Sequence, residues 1–197
     1  MMGRGLLSRG CVFAVCLLAF AGFPAQALDV TLQGALGEEL RADLEGGSLL
    51  FEQERSETEV SPQEIVSIAQ ADYQRLLAVL YDYGFYGPVI RISLDGREAS
   101  SIKSVAPPPS VSRAQISIET GRPFRFGTAE VGPLAPGTAL PDGFRPGETA
   151  RLSLLRDPVS AATDAWRDEG HAKAKPPSQR VTPRPAPHAL AVTLRVD

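Results

Sequence analysis

A chain of 197 residues with 20 basic and 23 acidic side chains carries a net charge of −3, and no basic stripe marks a nucleic-acid footprint. Both cysteines, Cys11 and Cys16, fall within the first 27 residues, which read as a segment lost on export. The remainder then has no thiol, which excludes disulfides, thiolate catalysis and cysteine-bound metals.

Arg4 and Arg9 supply a positive start, and an apolar run of 13 residues from Cys11 to Phe23 follows. Pro24 breaks it, and Ala25-Gln26-Ala27 is a small-x-small cleavage sequence, placing the cut between Ala27 and Leu28. The run is shorter than the roughly 20 residues needed to span a hydrocarbon core, so it reads as a signal peptide and not as an anchor. Losing Arg4 and Arg9 leaves 18 basic against 23 acidic side chains, a net charge of −5. No later stretch reaches the length and apolarity of a membrane helix.

In residues 28–34, Leu28, Val30 and Leu32 alternate with polar partners, predicting a half-buried strand ended by Gly34. Leu36, Leu40 and Leu44 recur every four residues and predict a short amphipathic helix stopped by Gly46-Gly47. Residues 48–60 are acidic and irregular, with at most a turn of helix expected. The next helix is strongly marked. Ser61 is its N-cap, Pro62 its first residue, and Glu64 closes a capping box. Ile65, Ile68, Ala69, Tyr73, Leu76, Leu77 and Leu80 form one stripe, and Gly84 is placed to take the left-handed C-terminal cap.

Residues 88–94 put Ile90, Ile92 and Leu94 on one face of a strand and Arg91 and Ser93 on the other, after a Pro88 tolerable at a strand start or edge. Asp95-Gly96 makes a turn, a loop with Pro107-Pro108-Pro109 follows, and Ala114, Ile116 and Ile118 face inward from the next strand. The order β-α-α-β-β implies a three-stranded sheet covered on one face by two helices, an α+β unit over residues 28–121.

A second unit is expected over residues 122–197, after the short joint Gly121-Arg122-Pro123. Its predicted elements are a strand over residues 124–132, a Pro/Gly-rich loop over 133–146, and a helical stretch over 148–155. A second helix capped by Asp157-Pro158 follows, carrying Val159, Ala162 and Trp166, with Gly170 at its end, and the last strand covers residues 190–196. Pro176, Pro177, Pro183, Pro185 and Pro187 crowd its middle strand, each removing a ladder donor, so a short or frayed edge limited to residues 179–182 is expected there.

The two units share a helix end: Leu80-Tyr81-Asp82-Tyr83-Gly84-Phe85-Tyr86 in the first and Trp166-Arg167-Asp168-Glu169-Gly170-His171-Ala172 in the second. A repeated supersecondary unit of this kind decides a fold ahead of any single residue. The β-α-α-β-β order, the glycine-aromatic helix end and the joint Gly121-Arg122-Pro123-Phe124-Arg125-Phe126-Gly127 resemble POTRA domains, the polypeptide-transport-associated modules of TamA-like outer-membrane (autotransporter) assembly proteins. The likeness covers residues 28–197 and rests on order and spacing. It implies a periplasmic scaffold that binds unfolded outer-membrane or autotransporter polypeptides, together with an inner-membrane-anchored assembly partner. It also implies continuation into a further unit and a barrel.

The mechanism open to such a module is β-augmentation, in which an exposed strand edge offers unpaired N–H and C=O groups to an extended chain. The candidate edge is Val89, Ile90, Arg91, Ile92, Ser93 and Leu94, beside a groove expected at Leu76 and Leu80. No nucleophile elbow, phosphate loop or metal-ligand cluster is spelled out, so neither enzymatic activity nor a cofactor is expected. His171 and His188 are too few and too far apart for a ligand set, and His171 reads as cap packing. Asp82 and Asp168, acids at helix C-termini where the dipole disfavours them, are expected to bond to nearby backbone. Tyr81, Tyr83, Phe85 and Tyr86 are expected to pack against the sheet. The alternatives are an exported ligand- or polysaccharide-binding protein and an envelope hydrolase.

Overall fold

A computed structural model describes residues 28–56, 58–103, 105–171, 173–175, 178–184 and 188–195. The expected signal peptide with Ala27, and Pro176, Pro177, Pro185 and Pro187, lie outside the described residues. The alternating segments form two sheets, and the striped segments lie against them. The first unit runs β1 (Asp29–Gln33), α1 (Glu38–Gly47), α2 (Leu49–Arg55), α3 (Pro62–Asp82), β2 (Val89–Leu94), β3 (Arg97–Glu98), a 3₁₀ turn and β4 (Arg113–Glu119). Its sheet has the order β1-β4-β2-β3, with β1 parallel to β4 and the other pairs antiparallel. The second unit runs β5 (Arg125–Gly132), α4 (Ser153–Asp168), β6 (Ser178–Arg184) and β7 (Ala189–Arg195), in the order β5-β7-β6. The architecture is α+β, in two tandem units.

Helix α3 forms where its caps predict. The Ser61 side chain accepts from the Glu64 amide at 3.3 Å, and the Glu64 carboxylate accepts from the Ser61 amide at 2.8 Å. The Ser61 amide, and then its hydroxyl, hold the Glu64 carboxyl below its usual pKa. Ile65, Ala69, Leu76 and Leu80 are buried as the stripe requires, while Ile68, Tyr73 and Leu77 flank it. Asp72 sits on the same stripe and is fully buried. Its carboxylate accepts from the Ser48 hydroxyl at 2.6 Å and the Leu49 and Leu50 amides at 2.7 and 3.0 Å. Three donors offset the cost of removing the acid from water. They also create α2, a helix of seven residues where an irregular stretch is expected, by satisfying the free amides of its first turn.

Inward faces match the alternation. Ala114, Ile116 and Ile118 of β4 and Ile92 and Leu94 of β2 are buried against Leu44, Leu50, Val66, Leu76 and Leu80. At roughly 1.5–3 kcal/mol per fully buried aliphatic side chain, this cluster is the main stabilising element of the first unit. Asp95 (φ 45°) and Gly96 (φ 82°) make a two-residue turn with both angles positive, the form that suits strand twist. The result is a fourth, two-residue strand, β3, in place of the three-stranded sheet expected.

The second unit departs further. Residues 148–152 are not helical, and α4 starts at Ser153, so Asp157-Pro158 lies inside the helix and does not cap it. Among the described residues one helix therefore covers this sheet, not the two expected. The Pro/Gly-rich loop and the non-helical residues after it take the place of the other: Phe144 and Ala150 are buried with Phe126, Leu155, Leu190, Val192 and Leu194. Phe144 meets Phe126 edge-on, ring centres 5.4 Å apart. β6 is also longer than expected, pairing with β7 over all seven residues, Pro183 opposite Leu190 included. As an edge strand it leaves every second amide facing away from the sheet, where a proline removes no ladder bond.

Candidate functional site

The candidate edge is β2, and its two sides differ. On one side β4 pairs with all of Val89–Leu94. On the other, β3 pairs with Ser93 and Leu94. The Tyr73 hydroxyl, reaching over from α3, accepts from the Ile92 amide at 3.2 Å and donates to the Glu98 carboxylate of β3. Burial, and then the bond to Glu98, push the Tyr73 hydroxyl above its ordinary pKa, so it remains a donor at neutral pH. Antiparallel alternation turns Ile90 the same way as Ile92, leaving the Ile90 backbone facing outward on the uncovered part, Val89 to Arg91. Val89 is 42% exposed there, and Arg91 forms an exposed ion pair with Glu119 at 2.9 Å. The expected groove at Leu76 and Leu80 is absent: both are fully buried in the core beneath the sheet.

The second sheet has a longer open edge. β6 is last in the order β5-β7-β6, and among the described residues nothing pairs with its outer side from Ser178 to Arg184. Val181 is 38% exposed at its middle. Arg180 and Arg184 are exposed too, giving this edge a basic character. The run of prolines hides the full length of this strand in the sequence, where pairing is expected only over residues 179–182.

Between the two edges lies the joint, where the four aromatic residues divide. Phe85 and Tyr83 pack against the first core, while Tyr86 packs into the second. Tyr86 stacks on Tyr81 with ring centres 5.1 Å apart and meets Phe124 edge-on at 5.9 Å. Its hydroxyl donates to the Ala150 carbonyl at 2.6 Å, and burial, with Asp82 and Tyr81 behind it, pushes that hydroxyl up to about 12. The Tyr83 hydroxyl also rises to about 12, chiefly through its bond to Asp43.

Gly84 ends α3 with a φ of 81°, in the left-handed region a side chain resists. Its carbonyl accepts from the Phe124 amide at 2.8 Å. Asp82 bonds to backbone, as an acid at a helix end should, but the backbone belongs to the other unit: its carboxylate accepts from the Ser153 amide at 3.0 Å. The Tyr81 carbonyl accepts from the Leu152 amide at 3.1 Å. An acid poorly placed at the C-terminus of α3 is thus well placed at the N-terminus of α4, which has no side-chain cap of its own. Nothing local in the sequence signals this.

Gly170 repeats the left-handed end with a φ of 94°. His171 packs edge-on against Trp166, ring centres 5.1 Å apart, the packing role expected of it. Among the described residues no group of three acid, histidine or cysteine side chains is placed to hold a metal, and no helix is long and apolar enough to cross a membrane.

No protein-family model matches the chain, and no curated protein matches its sequence. Solved structures do. The BamA POTRA3-5 fragment from Haemophilus influenzae superposes with a TM-score of 0.50 at 14% identity, covering 88% of this chain and 66% of that one. Two further matches are POTRA1-2 and POTRA1-3 of the periplasmic domain of Omp85 from Anabaena. The first has a TM-score of 0.41 at 17% identity and covers 87% of this chain and 92% of that one. The second has a TM-score of 0.43 at 16% identity and covers 87% and 59%. This chain thus spans just under two thirds of the BamA fragment. The fold is that of POTRA domains.

Proposed function

We propose that this chain is the polypeptide-binding periplasmic scaffold of an outer-membrane protein assembly and autotransporter translocation factor of the TamA type. The observation that carries the reading is a POTRA fold with open strand edges: a short one at Val89 to Arg91 and the whole of β6. Unpaired backbone at such an edge pairs with an extended chain through main-chain bonds that do not depend on the partner's sequence. That indifference suits a handler of many unfolded outer-membrane or autotransporter polypeptides. The signal-peptide pattern of residues 1–27 supports placement outside the cytoplasm. An inner-membrane-anchored partner belongs to the same reading, which needs neither catalysis nor a cofactor.

Photo-crosslinkers at Val89 and Val181, challenged with a urea-unfolded outer-membrane barrel protein diluted to native conditions, test it. Adducts are expected at both positions, more at Val181 on the longer edge. Ile90→Pro removes the outward amide of the short edge and abolishes the Val89 adduct while leaving the Val181 adduct. A chain that forms adducts at neither position is not a strand-pairing scaffold.

A further inference from the structure

The two sheets differ in what their bare faces carry. Residues paired across a ladder share a face, and successive residues alternate between faces. In the first sheet the face turned away from the helices holds two arginines, and each has its acid: Arg91 with Glu119 at 2.9 Å and Arg113 with Asp29 at 3.6 Å. In the second, Leu190, Val192 and Leu194 of β7 fill the core, so Arg195 faces outward. Register brings Arg125 of β5 and Arg180 and Arg184 of β6 onto that same face. All four arginines are exposed, and Glu130 is the one acid among the strand residues beside them. Arg125 donates to the Gly147 carbonyl at 2.8 Å, but Arg180, Arg184 and Arg195 have no hydrogen bond or ion pair among the described residues. Thr182, Ala191 and Thr193 lie between them and are too small to screen them.

Two of these arginines stand on the strand whose outer side is open. Arg180 and Arg184 share one face of β6 with Thr182, while Val181 and Pro183 share the other. Pro183 has no amide to give to β7, so the ladder closes through its neighbours, and the backbone of Gln179, Val181 and Pro183 turns outward. An antiparallel strand added there takes its bonds at those three residues. Its residues facing Arg180 and Arg184 then fall in the close, non-hydrogen-bonded positions, with Cα atoms about 4.5 Å apart. A second β6 is refused, because antiparallel addition centred on Thr182 sets Arg180 against Arg184 twice, and like charges directly opposite repel. A lipid surface offers the arginines phosphate but gives the outward backbone no ladder, and no strand residue on this face is large and apolar enough to enter it.

We propose that the β6 edge selects its strands by charge: it takes extended polypeptide segments with two acidic side chains, one opposite Arg180 and the other opposite Arg184. The selection rests on the strand-pairing reading above and adds a preference to it. Between the two acids, an apolar residue on the other face meets Val181, which is 38% exposed. The segment therefore alternates, with acids on one face and aliphatic side chains on the other. The β2 edge makes no such selection, because Arg91 is already committed to Glu119. The wider charge balance agrees. Residues 28–121 carry 15 acidic against seven basic side chains and repel an acidic segment, whereas residues 122–197 carry eight against 11 and attract it.

Fluorescent peptides of about nine residues test it, alternating Val and Thr, with glutamate, glutamine or lysine at the two positions that face Arg180 and Arg184. They are offered to the chain carrying the Val181 photo-crosslinker. Dissociation constants from fluorescence anisotropy should favour the glutamate peptide over the glutamine one about fivefold and over the lysine one by more, the difference shrinking as salt is raised. Arg180→Glu with Arg184→Glu should reverse the order, and Arg180→Gln with Arg184→Gln should level it. Both pairs replace exposed side chains without partners among the described residues, so the Trp166 urea midpoint should not move. Equal binding of the three peptides, with Val181 adducts formed, overturns the selection and leaves strand pairing standing. Absence of adducts from all three removes strand pairing at β6 and the selection together. A glutamate preference that persists in the double glutamate variant belongs to another site and overturns the proposal. So does arginine-dependent binding to phosphatidylglycerol vesicles by a chain that shows no preference among the peptides, because the face would then belong to lipid.

Discussion

The two units use one plan with different means. The first covers its sheet with three helices, satisfies the starts of α2 and α3 from within, and fixes α2 to α3 through a buried carboxylate. The second covers a three-stranded sheet, among the described residues, with one helix and a loop whose Phe144 does the packing of the absent helix. It also draws the partner for its helix start from its neighbour. A fold of this kind therefore tolerates loss of an element if an aromatic side chain from a loop fills the volume, but it then depends on what precedes it.

The largest effect that tests this contrast is Phe144→Ala. The cavity beside Phe126 should cost the second unit about 3–4 kcal/mol while leaving the first intact. Urea titration read by fluorescence of Trp166, the only tryptophan, against far-ultraviolet dichroism of the whole chain distinguishes the two. Equal loss in both units would mean that the loop is not a local substitute for a helix.

Next come the matched glycines. Gly170→Val should cost about 1 kcal/mol, the penalty of a left-handed side chain alone. Gly84→Val adds a clash with Thr149 and the Phe124 carbonyl and should cost about 3 kcal/mol, with both transitions shifted. Equal losses from the two variants would mean that the joint gives way around Gly84.

The smallest effect concerns pH. Tyr86 is held protonated in the fold, from an ordinary 10.0 up to about 12. A raised folded-state value means that its contribution is complete below pH ~10 and disappears as pH climbs from there through ~12. The Trp166 urea midpoint should fall across that window. Tyr86→Phe should flatten the fall while costing about 1 kcal/mol at neutral pH through the lost bond to Ala150. An unchanged alkaline profile in Tyr86→Phe would place the titration elsewhere, with Tyr83 the first candidate.

What the sequence revealed was local. The Ser61-Pro62 start, the Gly84 stop and the alternation around Ile92 and Ile116 are written within a few residues of the structures they form, and they appear where expected. α2 was missed because its amides are satisfied by Asp72, more than 20 residues further on, although that acid's place on the stripe of Ala69 and Leu76 was a readable sign. The start of α4 was misplaced because a proline pair looked like a cap while the real partner, Asp82, lay in the other unit. At the candidate edge nothing local signals that Tyr73, a member of an apolar stripe, turns its hydroxyl onto Ile92 and shortens the open backbone.

Asp82 and Ser153 are 71 residues apart in the chain. A ribosome, or a channel threading the polypeptide front end first, delivers the carboxylate well before the amide that needs it. By the time Ser153 emerges, the receiving group is already mounted on a finished helix, so construction proceeds in one direction. Splitting the chain and supplying its second half first would leave α4 to begin without that acceptor.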